Sequence, residues 1–334
     1  MNPISPSMYH ITRILDDGQL HAGTEIATSM EVSRTAVWKI VQRLKNFGVA
    51  IEGHHGGYQL KSPLKLLDPR LIQQYSRHPN LKLDVFETLA STNDYLKTNA
   101  TNTNPYFCIT EYQTNGRGRM GRSWISPFGC NLYFSLSYSF TEDISELSGL
   151  SLVIGISVVK ALQSLDANIP FQLKWPNDIT VDAKKLAGVL VEVMAEANGG
   201  CRAIIGVGLN VNMLNAATDD AIDRPWTSLD LLLHKQLDRN PLIASLIDAM
   251  LETIAKFRQS GLQPFIPDWD AVDALAGKNI ALLCAGSNIT GTACGIDSLG
   301  RLILKTSTAE HKAFSSGDTT IVKKPENILN LSFG

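Results

Sequence analysis

GRGRMGRSWISPFGCNLYFSLSY, residues 116–138, contains the loop and the strand that decide how the middle of this chain folds. Its first seven residues include three glycines and three arginines: Gly116, Arg117, Gly118, Arg119, Gly121 and Arg122. Glycine lets backbone N–H groups approach a ligand closely, and arginine offers planar, charged donors for carboxylate and phosphate oxygens. The composition predicts an anion-binding loop, with a basic surface turn as the weaker alternative.

The glycine spacing G-x-G-x-x-G also matches the dinucleotide fingerprint, which requires a helix that begins inside the loop. Pro127 and Gly129 would break such a helix, and residues 131–138 alternate apolar and polar side chains like a strand. The Gly-Lys-Ser/Thr ending of a phosphate-binding P-loop is also missing from this stretch. We therefore expect a loop between two strands, which argues against a nicotinamide-dependent oxidoreductase.

The bulk properties are those of an ordinary water-soluble protein. The 334 residues allow two or three domains, and the formal net charge of −2 gives no global attraction to nucleic acid or membrane. The five cysteines form no CxxC pair, and the N-terminus lacks a signal-peptide pattern. The longest apolar run, residues 147–159, is shorter than the ~20 residues that span a bilayer. We expect a cytoplasmic protein without a membrane partner.

Residues 1–62 are predicted to form a winged helix-turn-helix domain. Two short helices, near Ile11 and at residues 24–27, precede a third helix from Arg34 to Phe47, with Ser33 as its N-cap and a stop at Gly48. Two short strands, at residues 50–52 and 58–60, follow.

This first segment also carries a local positive charge. Between residues 31 and 61 there are five Lys/Arg and two Asp/Glu, which gives +3. Such a patch suits phosphate contacts, so the third helix is predicted to bind DNA, with a protein-interaction module of the same shape as the alternative. The predicted DNA-binding residues are Ser33, Arg34, Thr35, Trp38, Lys39 and Arg43.

A linker at residues 63–69 leads into a second segment, residues 70–268, where strand and helix patterns alternate. Helices are expected at 150–165 and at 240–260, the latter with Asn240 as N-cap and Gly261 as its stop. One face of the later helix is predicted to lie in the core: Leu242, Leu246, Met250, Ile254 and Phe257. Residues 270–324 read as short strands separated by turn residues, which is typical of a small β-barrel or sandwich.

Two motifs of the middle segment, KWPNDI at 174–179 and KKLAGVLVE at 184–192, carry charged side chains beside apolar strands. Lys185 enters such a run and is predicted to act on a carboxylate or phosphate, with a solvated turn lysine as the alternative. Asp178 is a candidate to orient a lysine, accept a proton or help hold a metal. The alternative for Asp178 is an Asx turn with Asn177.

Two further motifs offer amide and hydroxyl groups. GVGLNVN, residues 206–212, is expected to be a strand with Asn210 at its centre, and the amide suits either adenine or neighbouring backbone groups. Ser91-Thr92-Asn93 is by itself a helix cap, and its polar groups suit a small polar ring equally well.

Together these motifs resemble the biotin protein ligase family in its bifunctional bacterial form, which also represses the biotin operon. The matching stretches are Ser91–Asn93, EYQ at 111–113, residues 116–137, KWPNDI, KKLAGVLVE and GVGLNVN. The resemblance extends over nearly the whole chain and is weakest at Ser316-Gly317-Asp318. It implies an α+β multidomain protein, in which the winged helix-turn-helix domain precedes a class II aminoacyl-tRNA synthetase-like α/β catalytic domain and an SH3-like β-barrel.

The resemblance also implies a two-step reaction and a regulatory role. Biotin and Mg²⁺·ATP would form biotinyl-5′-AMP, and the biotin would pass to a lysine of the biotin carboxyl carrier protein of acetyl-CoA carboxylase. Biotinyl-5′-AMP would also act as corepressor, promoting a homodimer that binds the palindromic biotin operator. A protein whose synthetase-like domain only binds the ligand, a non-enzymatic sensing repressor, is the alternative. A pure sensor would be free to lose Lys185, Asp178 or the loop arginines.

On this resemblance the motif residues take specific roles. The catalytic residues would be Lys185, Arg119 and Asp178, with Asp178 orienting or deprotonating the acceptor lysine. The biotin-binding residues would be Ser91, Thr92, Asn93, Gln113, Arg117, Gly118, Arg119 and Lys185. The ATP- or adenylate-binding residues would be Gly116, Arg117, Arg119, Arg122, Trp124, Asn177, Asn210 and Trp226, the last from an irregular segment at 213–227. Mg²⁺ would arrive with ATP, without a dedicated protein cage.

Overall fold

The structure, a computed structural model, describes residues 4–100, 105–196, 199–213, 222 and 224–322, and it contains three sheets. The first belongs to the N-terminal domain. Its elements are α1 (Pro6–Leu15), β1 (His21–Ala22), α2 (Gly23–Ser29), α3 (Arg34–Asn46), β2 (Ile51–His54) and β3 (Gly57–Leu60). The strands pair in the order β1-β3-β2. This is the predicted winged helix-turn-helix order.

The third helix of this domain begins where the sequence predicts. The Ser33 hydroxyl accepts the N–H of Ala36 at 3.2 Å, which satisfies one of the first free donors of α3. The buried residues of α3 (Val37, Val41 and Leu44) recur at helical spacing and form a core with Met8, Ile11 and Leu15 of α1. The opposite face of α3 stays exposed.

The second sheet forms the centre of the molecule. Its strands are β4 (Lys82–Phe86), β5 (Tyr106–Thr110), β6 (Leu132–Phe140), β7 (Gln172–Lys174), β8 (Asp178–Val181), β9 (Lys184–Ala195) and β10 (Cys201–Leu209). Their order is β4-β5-β6-β10-β9-β8-β7, and every pair except β4–β5 is antiparallel. The arginine-glycine loop joins β5 to β6, so the predicted strand-to-strand connection is confirmed.

One strand ends earlier than the sequence predicts. β10 stops at Leu209, which pairs with Leu132 of β6 and Ala187 of β9. The prediction that Asn210 lies at the centre of a strand is therefore wrong. The Asn210 N–H still donates to Leu186 O of β9, but the Asn210 side chain donates to Thr227 O, outside the two strands.

Six helices accompany this sheet in the described residues: α4 (Pro69–Tyr75), α5 (Thr92–Asn99), α6 (Leu150–Gln163), α7 (Leu229–Leu233), α8 (Arg239–Ser260) and α9 (Ile266–Val272). The predicted apolar face of α8 is buried, and Gly261 ends the helix. The predicted N-cap Asn240 is wrong, because Asp238 accepts the N–H of Asn240 at 3.0 Å and caps the helix instead. The Asn240 amide is engaged elsewhere, with its Oδ1 accepting the N–H of Asp68.

The stretch Ile144–Gln163 is long and apolar enough to cross a membrane by length and composition, with a mean hydropathy of 1.5. This is longer than the predicted apolar run. Most of the stretch is buried inside the protein, and α6 packs against α8 and β9. Its apolar residues therefore belong to the core in this fold.

The third sheet lies at the C-terminal end. Its strands are β11 (Asn279–Cys284), β12 (Ser287–Ile296), β13 (Leu302–Lys305), β14 (His311–Phe314) and β15 (Asp318–Ile321). They pair antiparallel in the order β14-β13-β12-β11-β15, and the predicted short strands of this segment are confirmed. Its apolar residues, such as Ile280 and Leu302, continue the core of the central sheet. The predicted domain boundaries at residues 62, 70, 268 and 270 stay predictions.

The linker between the first two sheets is hydrogen-bonded on both sides. The carboxylate of Asp16, the C-cap of α1, accepts the N–H groups of Lys65 (2.6 Å) and Leu66 (3.0 Å). On the other side, Glu111 accepts the N–H of Leu67 at 2.6 Å, and Arg239 pairs with Glu111 at 2.6 Å. The hydrogen bonds of the linker backbone thus fix the N-terminal domain against the central sheet.

Candidate functional site

A cavity of about 360 Å³ opens above β9 and β10, between α5, the arginine-glycine loop, the KWPND segment and β15. Nearly all of the predicted ligand-binding residues line it. They are Ser91, Thr92, Asn93, Gln113, Arg117, Gly118, Arg119, Arg122, Trp124, Asn177, Asp178, Lys185, Asn210 and Trp226. Gly116 is the exception and is not among the lining residues. The fold thus brings together motifs that are more than 100 residues apart.

Residues 116–124, which we name the ligand loop, form a small hairpin. The N–H of Gly118 donates to Arg122 O at 2.6 Å, and the N–H of Trp124 donates to Gly116 O at 2.8 Å. A Cβ at Gly116 would lie 2.6 Å from Trp124 O, so only glycine allows this close pairing. Gly116 therefore shapes the ligand loop without facing the cavity.

Three strand glycines, Gly188, Gly206 and Gly208, form what we name the glycine floor, which lies beneath Trp124 of the ligand loop and Asn93 of α5. Gly188 and Gly208 are register partners on β9 and β10. A Cβ at Gly208 would overlap the Trp124 ring, and one at Gly206 would overlap Asn93. Because Gly188 and Gly208 lack side chains, the ring of Trp124 approaches the backbone of β9 and β10 closely. Sequence reasoning missed these glycines as a unit, since their meeting depends on strand register.

One end of the cavity is polar and uncharged. Ser91 caps α5 by accepting the N–H of Asp94 at 3.4 Å, and the N–H of Thr92 donates to Gln113 Oε1 at 3.0 Å. The Ser135 hydroxyl of β6 lies 2.7 Å from Thr92 Oγ1 and 2.6 Å from Asn93 Oδ1. These hydroxyl and amide groups are held in fixed positions by one another. Ser135 was not singled out from the sequence.

The other end is rich in positive charge. Five cationic side chains line it (Arg119, Arg122, Lys174, Lys185 and Arg224), and the lining contains two carboxylates, Asp178 and Asp318. The Lys185 ammonium pairs with Asp178 Oδ1 at 2.7 Å and lies 5.2 Å from the centroid of the Trp124 ring. Lys185 is thus held in place, rather than being a solvated turn lysine.

Lys174 and Arg119 lie at this cationic end with no ion pair within 4.0 Å in the part of the chain that the structure describes. Burial lowers the pKa of Lys174, the neighbouring cations Arg224, Lys185 and Arg122 lower it further, and Asp178 opposes them. Burial likewise lowers the pKa of Arg119. The motif KWPNDI contains Lys174, but sequence reasoning gave it no role.

The C-terminal sheet contributes directly to the cavity. Arg122 of the ligand loop forms an ion pair with Asp318 at the start of β15. Thr319 donates to Trp175 O at 3.0 Å, and the Trp175 indole N–H donates to Gly300 O at 3.0 Å. The weakest part of the sequence resemblance therefore supplies an acidic wall of the site.

The remaining predicted adenylate contacts are partly engaged with the backbone. Asn177 Nδ2 donates to Val189 O at 2.7 Å, and Asn210 Nδ2 donates to Thr227 O at 3.0 Å. The backbone of Trp226 pairs with that of Lys185, which brings its ring to the cavity. Contact of Asn177, Asn210 and Trp226 with adenine stays a prediction. Residues 214–221 and 223 of the predicted segment 213–227 lie outside the described residues.

The predicted DNA-binding side chains lie together on the exposed face of α3, away from the cavity. Arg34, Thr35, Lys39 and Arg43 are exposed, and Trp38 is 52% exposed. The sequence of α3 contains no acidic residue. This arrangement gives a continuous basic surface with one large aromatic side chain.

Comparisons with known proteins cover all three parts of the chain. The biotin/lipoate A/B protein ligase family matches residues 85–210, a helix-turn-helix domain matches 9–59, and the C-terminal domain of biotin protein ligases matches 276–319. The bifunctional ligase/repressor BirA of Salmonella typhimurium is 35% identical, over 87% of this chain and 90% of the relative. The biotin–[acetyl-CoA-carboxylase] ligase of Mycobacterium tuberculosis is 31% identical over 67% of this chain and 83% of its own length.

Among solved structures, the biotin protein ligase of Aquifex aeolicus in complex with biotin and ATP superposes with a TM-score of 0.62. It is 29% identical, and the match covers 73% of this chain and 99% of that protein. The central and C-terminal architecture described above is thus similar to that of a biotin protein ligase solved in complex with biotin and ATP.

Proposed function

This chain belongs to the biotin protein ligase family, and we propose that it activates biotin with ATP, transfers it to a carrier-protein lysine and represses transcription. This proposal rests on the different chemical character of the two ends of the cavity. One end offers fixed uncharged hydrogen-bonding groups, the other an excess of cations, and Trp124 lies between them. That arrangement suits a ligand with a polar ring at one end and phosphates at the other.

The first step brings the biotin carboxylate to the α-phosphate of ATP, so the site must offset the repulsion of two anions. Lys185 and Arg119 are proposed to provide the fixed positive charge that stabilises the developing transition state. Asp178 keeps the Lys185 ammonium in place through the 2.7 Å ion pair. Ser91, Thr92, Asn93 and Gln113 are proposed to hydrogen-bond the ureido ring of biotin.

Mg²⁺ is proposed to enter with ATP. The cavity lining contains two carboxylates, Asp178 and Asp318, and no cluster of three metal-binding side chains occurs among the described residues. Mg²⁺ usually keeps several waters and binds through one or two carboxylates plus substrate phosphates. The residues present therefore fit an ion that is bound mainly by the phosphates of ATP. Such an ion would neutralise negative charge on the pyrophosphate leaving group.

In the second step, the acceptor lysine must lose a proton before it attacks the acyl-adenylate. We propose that Asp178 orients or deprotonates it, since Oδ1 is held by Lys185 and the carboxylate faces the cavity. The acceptor is proposed to be the biotin carboxyl carrier protein of acetyl-CoA carboxylase, and the reaction is proposed to take place in the cytoplasm.

The repressor role rests on the exposed face of α3, where basic side chains surround Trp38. We propose that biotinyl-5′-AMP orders the ligand loop and promotes a homodimer that places two α3 helices on the biotin operator. The exposed apolar side chains Met120 and Ile125 of this region support a contact surface there. If sedimentation shows the same oligomeric state with and without the adenylate, the corepressor role is refuted.

The enzymatic role is tested by incubating the purified protein with biotin, Mg²⁺·ATP and a carrier domain, followed by mass spectrometry. We expect one biotin on one carrier lysine. The Lys185→Ala variant should lose about 10²–10³-fold in rate, because a charge preorganised for the transition state is removed. Lys160→Ala, which removes an exposed lysine paired with Asp268 on the far helices, is the matched control and should keep full activity.

Two outcomes of the same assay would change the proposal. If neither bound biotinyl-5′-AMP nor transfer to a carrier is found, the enzymatic role is refuted and the ligand-sensing repressor is favoured. An Asp178→Asn enzyme that transfers preformed adenylate at the normal rate would refute the role of Asp178 with the acceptor lysine.

A further inference from the structure

Arg117 differs from the other arginines of the ligand loop because two carboxylates engage its guanidinium. Its Nη2 lies 2.6 Å from Asp94 Oδ1 and 3.0 Å from Glu192 Oε2. Asp94 is in the first turn of α5, and Glu192 is on β9. The two carboxylates therefore tie the ligand loop to α5 and to the central sheet.

The contacts around this pair form a balanced network. Lys97 lies 2.7 Å from Glu192 and 3.5 Å from Asp94, and the Asn93 amide donates to Glu192 at 2.8 Å. Two cations thus face two anions, and no net positive charge is left over for a ligand. The Arg117 Nε is buried and has no hydrogen-bond partner among the described residues, so the side chain is seated inside the network.

Arg119, two residues further along, shows the opposite arrangement. It is half-buried at the cationic end of the cavity, and within the described ranges no carboxylate lies within 4.0 Å of its guanidinium. Arg117 and Arg119 therefore have different roles in the ligand loop. Arg119 is positioned to meet an anion, while the charge of Arg117 is already met by the protein.

We propose that Asp94 and Glu192 form a latch for Arg117 that holds the ligand loop against the glycine floor, so that Arg117 is a positioning residue. Arg117 lines the cavity, and Arg122 with Asp318 ties the other strand of the same hairpin to the C-terminal sheet. Held at both sides, the loop shields an acyl-adenylate from water until an acceptor arrives. The shielding rests on the proposed function, whereas the latch itself is a property of the folded chain.

The rate of cleavage by trypsin tests the latch directly, because trypsin cleaves after the arginines of the ligand loop. The ligand-free full-length Asp94→Asn variant should be cleaved there about fivefold faster than the parent, which corresponds to about 1 kcal/mol for a partly exposed ion pair. The control is Asp268→Asn, which removes another 2.6 Å ion pair, with Lys160, remote from the loop. Equal cleavage rates in Asp94→Asn and the parent would overturn the proposal.

A second variant separates the latch from a general effect on α5, because Asp94 also lies in the first turn of that helix. In an Arg117→Gln background, with cleavage after Arg119 and Arg122 followed by mass spectrometry, adding Asp94→Asn should change nothing further. An undiminished effect would show that Asp94 acts through the helix and would overturn the latch.

Retention of biotinyl-5′-AMP gives an independent readout. Arg117→Gln and Asp94→Asn should both release preloaded adenylate about fivefold faster, and Asp94→Asn should form adenylate at saturating biotin and ATP at a rate near that of the parent. A loss of about a hundredfold in that saturated rate for Arg117→Gln would assign Arg117 to substrate and overturn its positioning role. If the parent itself forms no adenylate, the proposed function fails, and the trypsin comparison still decides the latch.

Discussion

Two groups of buried charge in this protein are arranged in opposite ways. Glu111 and Arg239 are both fully buried and form an ion pair at 2.6 Å, and Arg239 also donates to Asn131 O at 3.0 Å. Lys174, by contrast, lies in a half-buried cluster where cations outnumber carboxylates. We call the first group closed, because its two charges pair with each other. We call the second group open, because its cations exceed its carboxylates.

The pKa directions express the same contrast. Burial lowers the pKa of Arg239, but the charge and hydrogen bond of Glu111 outweigh burial and raise it above its ordinary value. For Lys174 the effect of burial prevails, and the pKa is lowered. A buried charge that the protein has matched serves the fold, whereas one that it has left unmatched is held ready for a ligand.

The largest expected effect comes from breaking the closed group. Arg239→Met leaves the Glu111 carboxylate buried without its cation, and this should cost about 3–5 kcal/mol in the free energy of unfolding. Because Glu111 also accepts the N–H of Leu67 in the linker, docking of the N-terminal domain should weaken too. Denaturant unfolding measures the loss.

The control for this prediction removes the charge from both partners. Glu111→Gln combined with Arg239→Met keeps an acceptor for Leu67 while removing the unpaired anion, so much of the stability should return. A single variant that loses less than about 1 kcal/mol would show that the pair adds little and would remove one side of the contrast.

The short local motifs of the chain were predictable from the sequence. The ligand loop, KWPND and KKLAG are short motifs in which residue type and spacing carry the chemistry. Arg119, Asp178 and Lys185, which were singled out from these motifs, line one cavity, and their catalytic roles stay predictions. The third helix of the DNA-binding domain was equally clear, because Ser33 and Gly48 mark its ends.

The long-range parts were not predictable from such patterns. Glu111 and Arg239 are 128 residues apart, and the glycine floor forms only when β9 and β10 pair in one register. Asp318 meets Arg122 only after the C-terminal sheet packs against the loop. Asp238 and Asn240 are both favourable N-caps, and the choice depends on the linker, which engages the Asn240 amide.

A smaller effect on the free energy of unfolding tests the open group, and here the substitution should raise stability rather than lower it. Because the pKa of Lys174 is lowered in the folded protein, the unfolded chain binds this proton more tightly, and protonation costs stability. Lys174→Met should therefore raise the free energy of unfolding at neutral pH, by up to about 1 kcal/mol. The gain should vanish as pH rises through the ordinary pKa of lysine, where neither state carries the charge.

The same Lys174→Met variant should raise the KM for ATP, because one of the unmatched cations at the phosphate end is lost, while biotin binding at the polar end changes little. Lys160→Met is the control, since that lysine is exposed and paired with Asp268 and should change neither quantity. Denaturant unfolding at several pH values and initial rates at varied ATP measure the two effects. A Lys174→Met protein that is less stable and binds ATP normally would show that this lysine serves the fold, and the distinction between matched and unmatched charge would then fail at the residue that defines it.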